Sequence, residues 1–367
     1  MMANDVNPYF EFIRYCVDDS LPIPVSMYSA DWDDLYAFMR QQSLTGVGYV
    51  GIERLKREGV DMPRQTFMKW FAMSEKIRAR NVRVNECCVR LVERLKAEGF
   101  DSCVLKGQGN SLLYSNPYAR ISGDIDVFVM KGEEESIKER RKTIINYIRK
   151  IFPHTRMRYQ HIDFPVFKDV EVEMHFIPTA KNNPIYNRRI QRWAESQMPQ
   201  QCHNFVGLPD NAGAIPVPTF RFNLVYQMSH LMHHFFDEGI GLRQMMDYYY
   251  LLKNNDGETK EALIEELKYL GLYKFAGAVM FVMHEVFGLE DEQMIVPQDV
   301  KRGETLMKEI LKGGNFGRCS GLTDHSTGVK YFLKIKRNLQ FVYEYPAEAL
   351  CEPVFRTWHF LWRLLNK

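Results

Sequence analysis

Apolar residues recur at helical spacing through the first part of the chain. Three stretches carry this pattern: residues 31–42, 47–58 and 63–99. In the third stretch, one stripe of side chains falls at i, i+4, i+7 and i+11, namely Val84, Cys88, Leu91 and Leu95. Such a stripe predicts a buried helix face, and Gly99 is expected to end that helix, because glycine commonly follows a helix terminus. Residues 1–99 are therefore predicted to form a helical N-terminal region.

The pattern becomes mixed over residues 100–218. β-Rich runs occur at 100–105, 124–130, 161–167 and 170–176, with helical stretches at 107–114 and 132–152. Lys168 and Asp169 separate the last two runs and predict a tight hairpin turn. The Pro-, Asn- and Gln-rich residues 178–218 are expected to form a linker with short elements.

Residues 219–367 return to helical periodicity. The fold class that these patterns predict is α+β, with a mixed-sheet core over 100–218 between helical regions at 1–99 and 219–367. Near the end, a helical stripe of apolar side chains predicts a terminal helix docked on the core; it comprises Val354, Trp358, Leu361 and Leu365. Attachment of this helix to a membrane surface is the alternative.

Acidic side chains are expected on one face of two predicted strands. Asp124 and Asp126 lie two residues apart on an extended segment, so their carboxylates point to the same side of a sheet. Glu171, Glu173 and His175 likewise alternate with apolar residues in the last β-rich run.

Paired carboxylates repel each other unless a positive charge lies between them. A divalent cation such as Mg²⁺ is the usual solution, because it binds one or two carboxylates together with substrate phosphates. If the two strands are neighbours, Glu173 completes a three-carboxylate cluster that can hold two metal ions, with Glu171 as a rival on the same face. The alternative is a solvated strand face or a turn.

Several short motifs together resemble a known family. They are Leu-Lys-Gly at 105–107, Arg-x-x-Gly-Asp-Ile-Asp at 120–126, Glu-x-His at 173–175, His230, and Leu-Arg-x-x-x-Asp at 242–247. This combination resembles the uncharacterised nucleotidyltransferase family of the polymerase-β-like nucleotidyltransferase superfamily. One departure is the run Lys-Gly-Gln-Gly-Asn-Ser at 106–111, where the wider superfamily usually has Gly-Ser.

The resemblance implies a nucleotidyltransferase-like core and a metal-dependent transfer of a nucleoside monophosphate from an NTP to an acceptor. Asp124, Asp126 and Glu173 would be catalytic and would bind Mg²⁺ or Mn²⁺. Glu173 would be either the third metal contact or the general base for the acceptor hydroxyl. The family does not identify the acceptor, which can be a small molecule, a protein or RNA.

Nucleotide contacts are expected around the first strand and its loop. Lys106 and Gly107 lie where a strand meets a helix start, a place receptive to phosphate. Arg120 either clamps a phosphate or pairs with a neighbouring acid. Ser122 and Gly123 are counted with these contacts, although backbone geometry is an alternative reason for both.

Later residues are assigned to the nucleotide or the acceptor mainly through the resemblance. His175 contacts the nucleotide or metal, or makes a cross-strand hydrogen bond. His230 flanks a buried helical stripe, and Arg243 and Asp247 are spaced at i, i+4, so they can also pair with each other. His233 and His234 are expected to be ordinary polar positions in this helical region.

Composition limits the class of protein. The chain has 367 residues with a net charge of +2, a balance that does not favour strong nonspecific nucleic-acid binding. Its seven cysteines show no C-x-x-C pair, and no signal peptide or membrane-spanning stretch is evident. A cytoplasmic enzyme is expected. The alternatives are a non-catalytic nucleotide- or partner-binding module and a metal-dependent phosphohydrolase, against which the absence of a His-Asp metal pair argues.

Overall fold

The computed structural model describes residues 7–132, 135–254, 260–315 and 327–365. The chain begins with four helices: α1 Pro8–Val17, α2 Trp32–Gln41, α3 Thr45–Arg57 and α4 Arg64–Ala97. The side chain of Asp31 accepts hydrogen bonds from two backbone N–H groups at the start of α2, which satisfies donors that a helix leaves unpaired. Gly99 follows α4 with a φ of 76°, a left-handed conformation that glycine adopts without strain. The predicted N-terminal helices and the stop at Gly99 are confirmed.

A four-stranded mixed sheet forms the centre of the fold. Its strands are β1 Asp101–Val104, β2 Ile125–Met130, β3 His161–Asp163 and β4 Val172–His175. They lie in the order β1-β2-β4-β3, with β2 parallel to β4 and the other pairs antiparallel. The antiparallel pairing of the last two strands is confirmed, but residues 164–171 separate β3 from β4, so the predicted tight turn at Lys168 and Asp169 was wrong. The α+β class is confirmed.

Two helices accompany the sheet. α5 is the four-residue segment Gln108–Ser111, shorter than the stretch at 107–114 predicted to be helical. α6, Ile137–Ile151, begins with a capping box in which Ser136 and Glu139 bind each other's backbone N–H groups. Its Ile144 and Ile148 are fully buried in the same apolar cluster as β2 and the stripe of α4. The apolar side of this charged helix therefore packs on the sheet.

Residues 178–218 contain more regular structure than a linker. They form α7 Pro184–Glu195, α8 Met198–Gln201 and an antiparallel pair, β5 Phe205–Gly207 with β6 Ala214–Pro216. α7 has twelve residues, so the expectation of short elements only was wrong for this helix. A turn joins the two strands, and in it Asp210 and Asn211 both have a φ of 56°.

The described residues after β6 are mostly helical, as predicted. The helices are α9 Phe220–Asp237, α10 Leu242–Lys253, α11 Lys260–Tyr269, α12 Tyr273–Phe287, α13 Val300–Gly313, α14 Thr327–Leu339 and α15 Pro346–Leu365. α1 packs against α12, so N-terminal and C-terminal helices share one apolar cluster that also includes Phe128 of the sheet. Proximity in this fold is therefore not limited to neighbours along the chain.

The last helix docks on the protein as predicted, with Ala349 in the core, but the predicted stripe is not its buried face. Val354, Trp358 and Leu361 are 70%, 44% and 53% exposed, while Glu352 on another side of α15 is buried. The expected docking of this apolar stripe on the core was wrong for these three residues. The periodicity identified an amphipathic helix correctly, but it did not show which face meets the protein. Within the described ranges, no helix is long and apolar enough to cross a membrane.

Candidate active site

The parallel pairing of β2 with β4 brings the predicted acids together. Asp126 and Glu173 are direct partners in the register, so their side chains leave the sheet on the same face. Asp124 immediately precedes β2, and carboxylate oxygens of Asp124, Asp126 and Glu173 all lie within 4.8 Å of one another. Glu173 rather than Glu171 completes this group, which resolves the rivalry between the two acids. The strand pairing that the sequence left as an assumption is present.

Asp126 is the buried centre of this group. Lys106 Nζ lies 3.0 Å from its Oδ2 atom, and His175 Nε2 lies 2.9 Å from its Oδ1 atom. Burial alone would raise the pKa of Asp126, but the charges of Lys106 and His175 hold it below the usual range. Asp124 faces the cavity, and the negative charge of Asp126, together with burial, raises its pKa to about 6. The two aspartates therefore differ sharply in how readily they ionise.

Two histidines flank Glu173. His175 Nε2 lies 3.6 Å from Glu173 Oε2, and the Nδ1 atom of the same ring lies 3.3 Å from the carbonyl oxygen of Ile177. His161 Nδ1 lies 3.0 Å from Glu173 Oε2. Burial opposes protonation of His175, but hydrogen bonds to Asp126 and Glu173 raise its pKa to about 9. Burial and the nearby His175 lower the pKa of His161 to about 3.

Sequence reasoning missed His161, although a signal was available. His161 is the first residue of β3 and the direct cross-strand partner of His175 in the antiparallel register. Directly opposed residues of an antiparallel pair lie on the same face. Combining the predicted hairpin with the alternation of β4 would have put His161 beside the acids.

Lys106 contacts side chains that the sequence assigned to other roles. Its Nζ atom lies 3.0 Å from His230 Nε2 as well as beside Asp126. Gly107 has a φ of 74° and a ψ of −105°, which requires glycine at this position. Because α5 has only four residues, its helix dipole is a weaker reason for phosphate binding than the predicted longer helix would give.

Arg120 forms a buried ion pair with an acid far along the chain. Its Nε and a terminal nitrogen donate to the two carboxylate oxygens of Asp247 at 2.7 and 2.8 Å. Tyr114 donates its hydroxyl to the same carboxylate at 2.6 Å. Arg120 therefore pairs with an acid, but with Asp247 and not with a neighbouring acid as predicted. Asp247 thus pairs with Arg120, whereas Arg243 donates to the carbonyl oxygen of Ile121 at 3.5 Å.

The loop that leads to Asp124 is held from several sides. Asn81 donates to the carbonyl oxygens of Tyr118 and Arg120 at 3.2 and 2.7 Å, and Arg80 donates to that of Gly123 at 3.4 Å. Sequence reasoning missed both α4 residues, and their helical positions gave no signal for this contact. Gly123 lines the cavity described below. Ser122 Oγ is buried and has no hydrogen-bond partner within the described part of the chain.

A cavity of about 960 Å³ opens over the acids and extends along α9 to α15. One end contains the acidic cluster with Lys106, Gly107 and Arg243. His230 and His234 lie next to this cluster, because His230 Nε2 is 3.0 Å from Lys106 Nζ and 2.9 Å from His234 Nε2. The rest of the lining includes Tyr159, His233, Asp237, Phe355, Arg356 and His359. His233 and His234 are therefore cavity residues rather than ordinary polar positions. The buried side of α15 faces this cavity, which explains why its polar side chains point inwards.

Comparison with known proteins gives one match. A sequence model of the family described as uncharacterised nucleotidyltransferase matches residues 28–288, well over half of the chain. No curated protein and no solved structure matches. The matched range contains every predicted site residue and ends before α13, so the wall that α15 adds to the cavity lies outside it. The chain therefore belongs to the uncharacterised nucleotidyltransferase family.

Proposed function

We propose that this protein is a metal-dependent enzyme that transfers a nucleoside monophosphate from an NTP to an acceptor. The observation that carries the proposal is the register of β2 with β4, which sets Asp126 directly beside Glu173. Together with Asp124 these residues form a three-carboxylate group at the end of a cavity. Family membership supports a nucleotide substrate for this group.

The donor atoms of this group fit a hard divalent cation. Mg²⁺ prefers carboxylate oxygens together with water and phosphate oxygens, and Asp124 is open to the cavity from which a phosphate would approach. The raised pKa of Asp124 shows that the carboxylates repel one another. When bound, Mg²⁺ or Mn²⁺ would relieve that repulsion and stabilise the charge that develops on the phosphates.

The remaining residues of the site have roles that follow from their contacts. Lys106 and His175 neutralise Asp126 while no cation is near it, and a bound cation would replace them. Lys106 then lies beside Gly107 at the cavity wall, where its charge can offset that of a triphosphate. Glu173 holds the cation or accepts the proton of the attacking hydroxyl.

The cavity has room for two substrates. Its volume of about 960 Å³ is at the upper end of ordinary ligand sites. An NTP with its phosphates at the acids would leave the aromatic-lined end, near Tyr159 and Phe355, for the acceptor. In-line attack then requires the acceptor oxygen to enter from that end, and positioning supplies much of the rate enhancement.

Two other functions have an observation in their favour. The ion pair between Lys106 and Asp126 favours a nucleotide-binding module without turnover, in which the lysine permanently occupies the place of a cation. The contact between His175 and Asp126 favours a phosphohydrolase, because the sequence argument against that activity was the absence of a His-Asp pair. The structure contains such a pair, formed between two strands.

One labelling experiment separates these functions. The purified full-length protein is incubated with each α-labelled NTP, Mg²⁺ and a cell extract, and labelled species are identified by mass. We expect a labelled acceptor and pyrophosphate from the wild type and none from Asp126→Asn. Glu171→Gln is the matched control and should retain transfer, because Glu171 lies outside the carboxylate group.

The other outcomes are equally informative. Labelled nucleotide bound without any product would support the binding module, and release of phosphate without a labelled acceptor would support the hydrolase. Full transfer by a folded Asp126→Asn protein would refute the assignment of this residue.

A further inference from the structure

A group of mixed nitrogen and oxygen donors lies beside the three carboxylates. It consists of His161, Glu173 and His175, whose ligand atoms all lie within 4.8 Å of one another. His161 is directly opposite His175 in the β3–β4 register, and Glu173 is two residues before His175, so all three share one face. All three side chains are therefore carried by strands of the sheet and not by a loop.

We propose that His161, Glu173 and His175 bind a divalent first-row transition-metal ion. Imidazole nitrogens suit ions such as Mn²⁺, Co²⁺ and Zn²⁺, whereas Mg²⁺ prefers an all-oxygen octahedral environment. Glu173 is shared with the three-carboxylate group, so its two oxygens can serve ions on both sides. This inference goes beyond the proposed function because it concerns an additional ion and requires no turnover.

The spacing of the donor atoms matches metal coordination. His161 Nδ1 and His175 Nε2 lie 3.0 and 3.6 Å from the Oε2 atom of Glu173. Bonds of 2.0–2.1 Å to one ion place neighbouring donors about 3.0–3.4 Å apart. Both distances to Oε2 are therefore within a few tenths of an ångström of this spacing, and the two ring nitrogens lie within 4.8 Å of each other.

The outer hydrogen bond of His175 also supports a ligand role. A metal-binding histidine usually donates its other ring N–H to a backbone carbonyl or a carboxylate, which orients the ring and fixes its tautomer. The Nδ1 atom of His175 lies 3.3 Å from the carbonyl oxygen of Ile177. This bond leaves Nε2 as the atom that faces Glu173 and Asp126.

His161 differs from His175 in its outer ring nitrogen. Its Nε2 atom is buried and has no hydrogen-bond partner among the described residues, and the residue is only 7% exposed. A neutral imidazole carries one proton, which can reside on either nitrogen. Moving that proton to Nε2 breaks no hydrogen bond there, and it leaves a lone pair on Nδ1 directed at the site.

The test is pulsed electron paramagnetic resonance of Mn²⁺ bound to the full-length, chelator-treated protein. Nitrogen-14 couplings from directly bound imidazole are expected in the wild type. They are also expected in Asp124→Asn, in which the three-carboxylate group is weakened but the histidines are intact. His161→Gln should lose the couplings from that ring and bind Mn²⁺ at this site at least about tenfold more weakly. His284→Gln, which alters a histidine bonded to Leu289 far from the cavity, should match the wild type.

Two results would overturn the site. The first is a wild-type spectrum with oxygen ligands only, and the second is a folded His161→Gln protein with unchanged couplings and affinity. If His161→Gln does not fold, the wild-type and Asp124→Asn spectra still decide the question. The proposed function fails separately, because loss of all nucleotide transfer with persistent nitrogen couplings would refute transfer and leave the metal site standing.

Discussion

Replacing Asp247 with asparagine tests whether Arg120 and Asp247 serve the structure rather than the nucleotide. Both residues are at most 5% exposed, and water therefore cannot solvate the guanidinium once the carboxylate charge is removed. Asparagine keeps the shape of the side chain but leaves Arg120 with a buried, uncompensated charge. Breaking a buried ion pair from one side costs about 3–5 kcal/mol. We expect Asp247→Asn to lower the free energy of unfolding by that amount.

This loss is large against a total stability of roughly 5–15 kcal/mol. The assay is equilibrium unfolding in urea, in which a lower midpoint with an unchanged slope reports lost stability. The double variant Arg120→Met/Asp247→Leu should recover much of the loss, because apolar groups of similar volume can replace a buried ion pair. Glu265→Gln, in the exposed pair with Lys268, is the control and should leave the midpoint unchanged.

A different result would support the assignment made from sequence. If Asp247→Asn unfolds at the wild-type urea concentration but binds NTP more weakly, the ion pair contributes to nucleotide binding and the structural argument is refuted.

The buried ion pair also predicts an effect on Mg²⁺ binding. Arg120 belongs to the loop that carries Asp124, so a folded Asp247→Asn protein should bind Mg²⁺ more weakly than the wild type.

Three further predictions follow from the site. The folded-state pKa of His175 is raised to about 9, so the stability that its charged form contributes is complete below about pH 6.5 and is lost as the pH rises towards 9. Urea unfolding in the presence of a chelator should show this loss, of the order of 3 kcal/mol, in the wild type. His175→Gln should not show it. The pKa of Asp124 is raised to about 6, so Mg²⁺ affinity measured by calorimetry should fall about tenfold per pH unit below 6, and Asp124→Asn should remove this dependence. Gly107→Ala should lower the free energy of unfolding in urea by about 1–3 kcal/mol, because alanine is strained at a φ of 74°. Gly123→Ala is its control, because a Cβ atom there would meet open space. Equal losses in the two variants would contradict the strain argument.

Local pattern was enough to predict most of the secondary structure and the faces of the strands. The side chain of each strand residue points to a face that depends only on its position, so Asp126 and Glu173 were assigned correctly to a common face once β2 and β4 were assumed to pair. The long helix α4 was equally predictable from sequence, because its buried stripe repeats over many turns. Which strands pair with each other could not be predicted from sequence, since strands of similar composition have several compatible neighbours.

Sequence by itself therefore determined the amphipathic helices, the alternation of the strands and the acidic residues that belong to one surface. Only the tertiary structure decided that Arg120 meets Asp247, that His161 joins Glu173, and that α15 turns its polar side towards the cavity. The physical reason is the separation along the chain over which each kind of information acts. Periodicity reflects geometry within a few residues, whereas these contacts join segments whose relative positions depend on the packing of the whole apolar core.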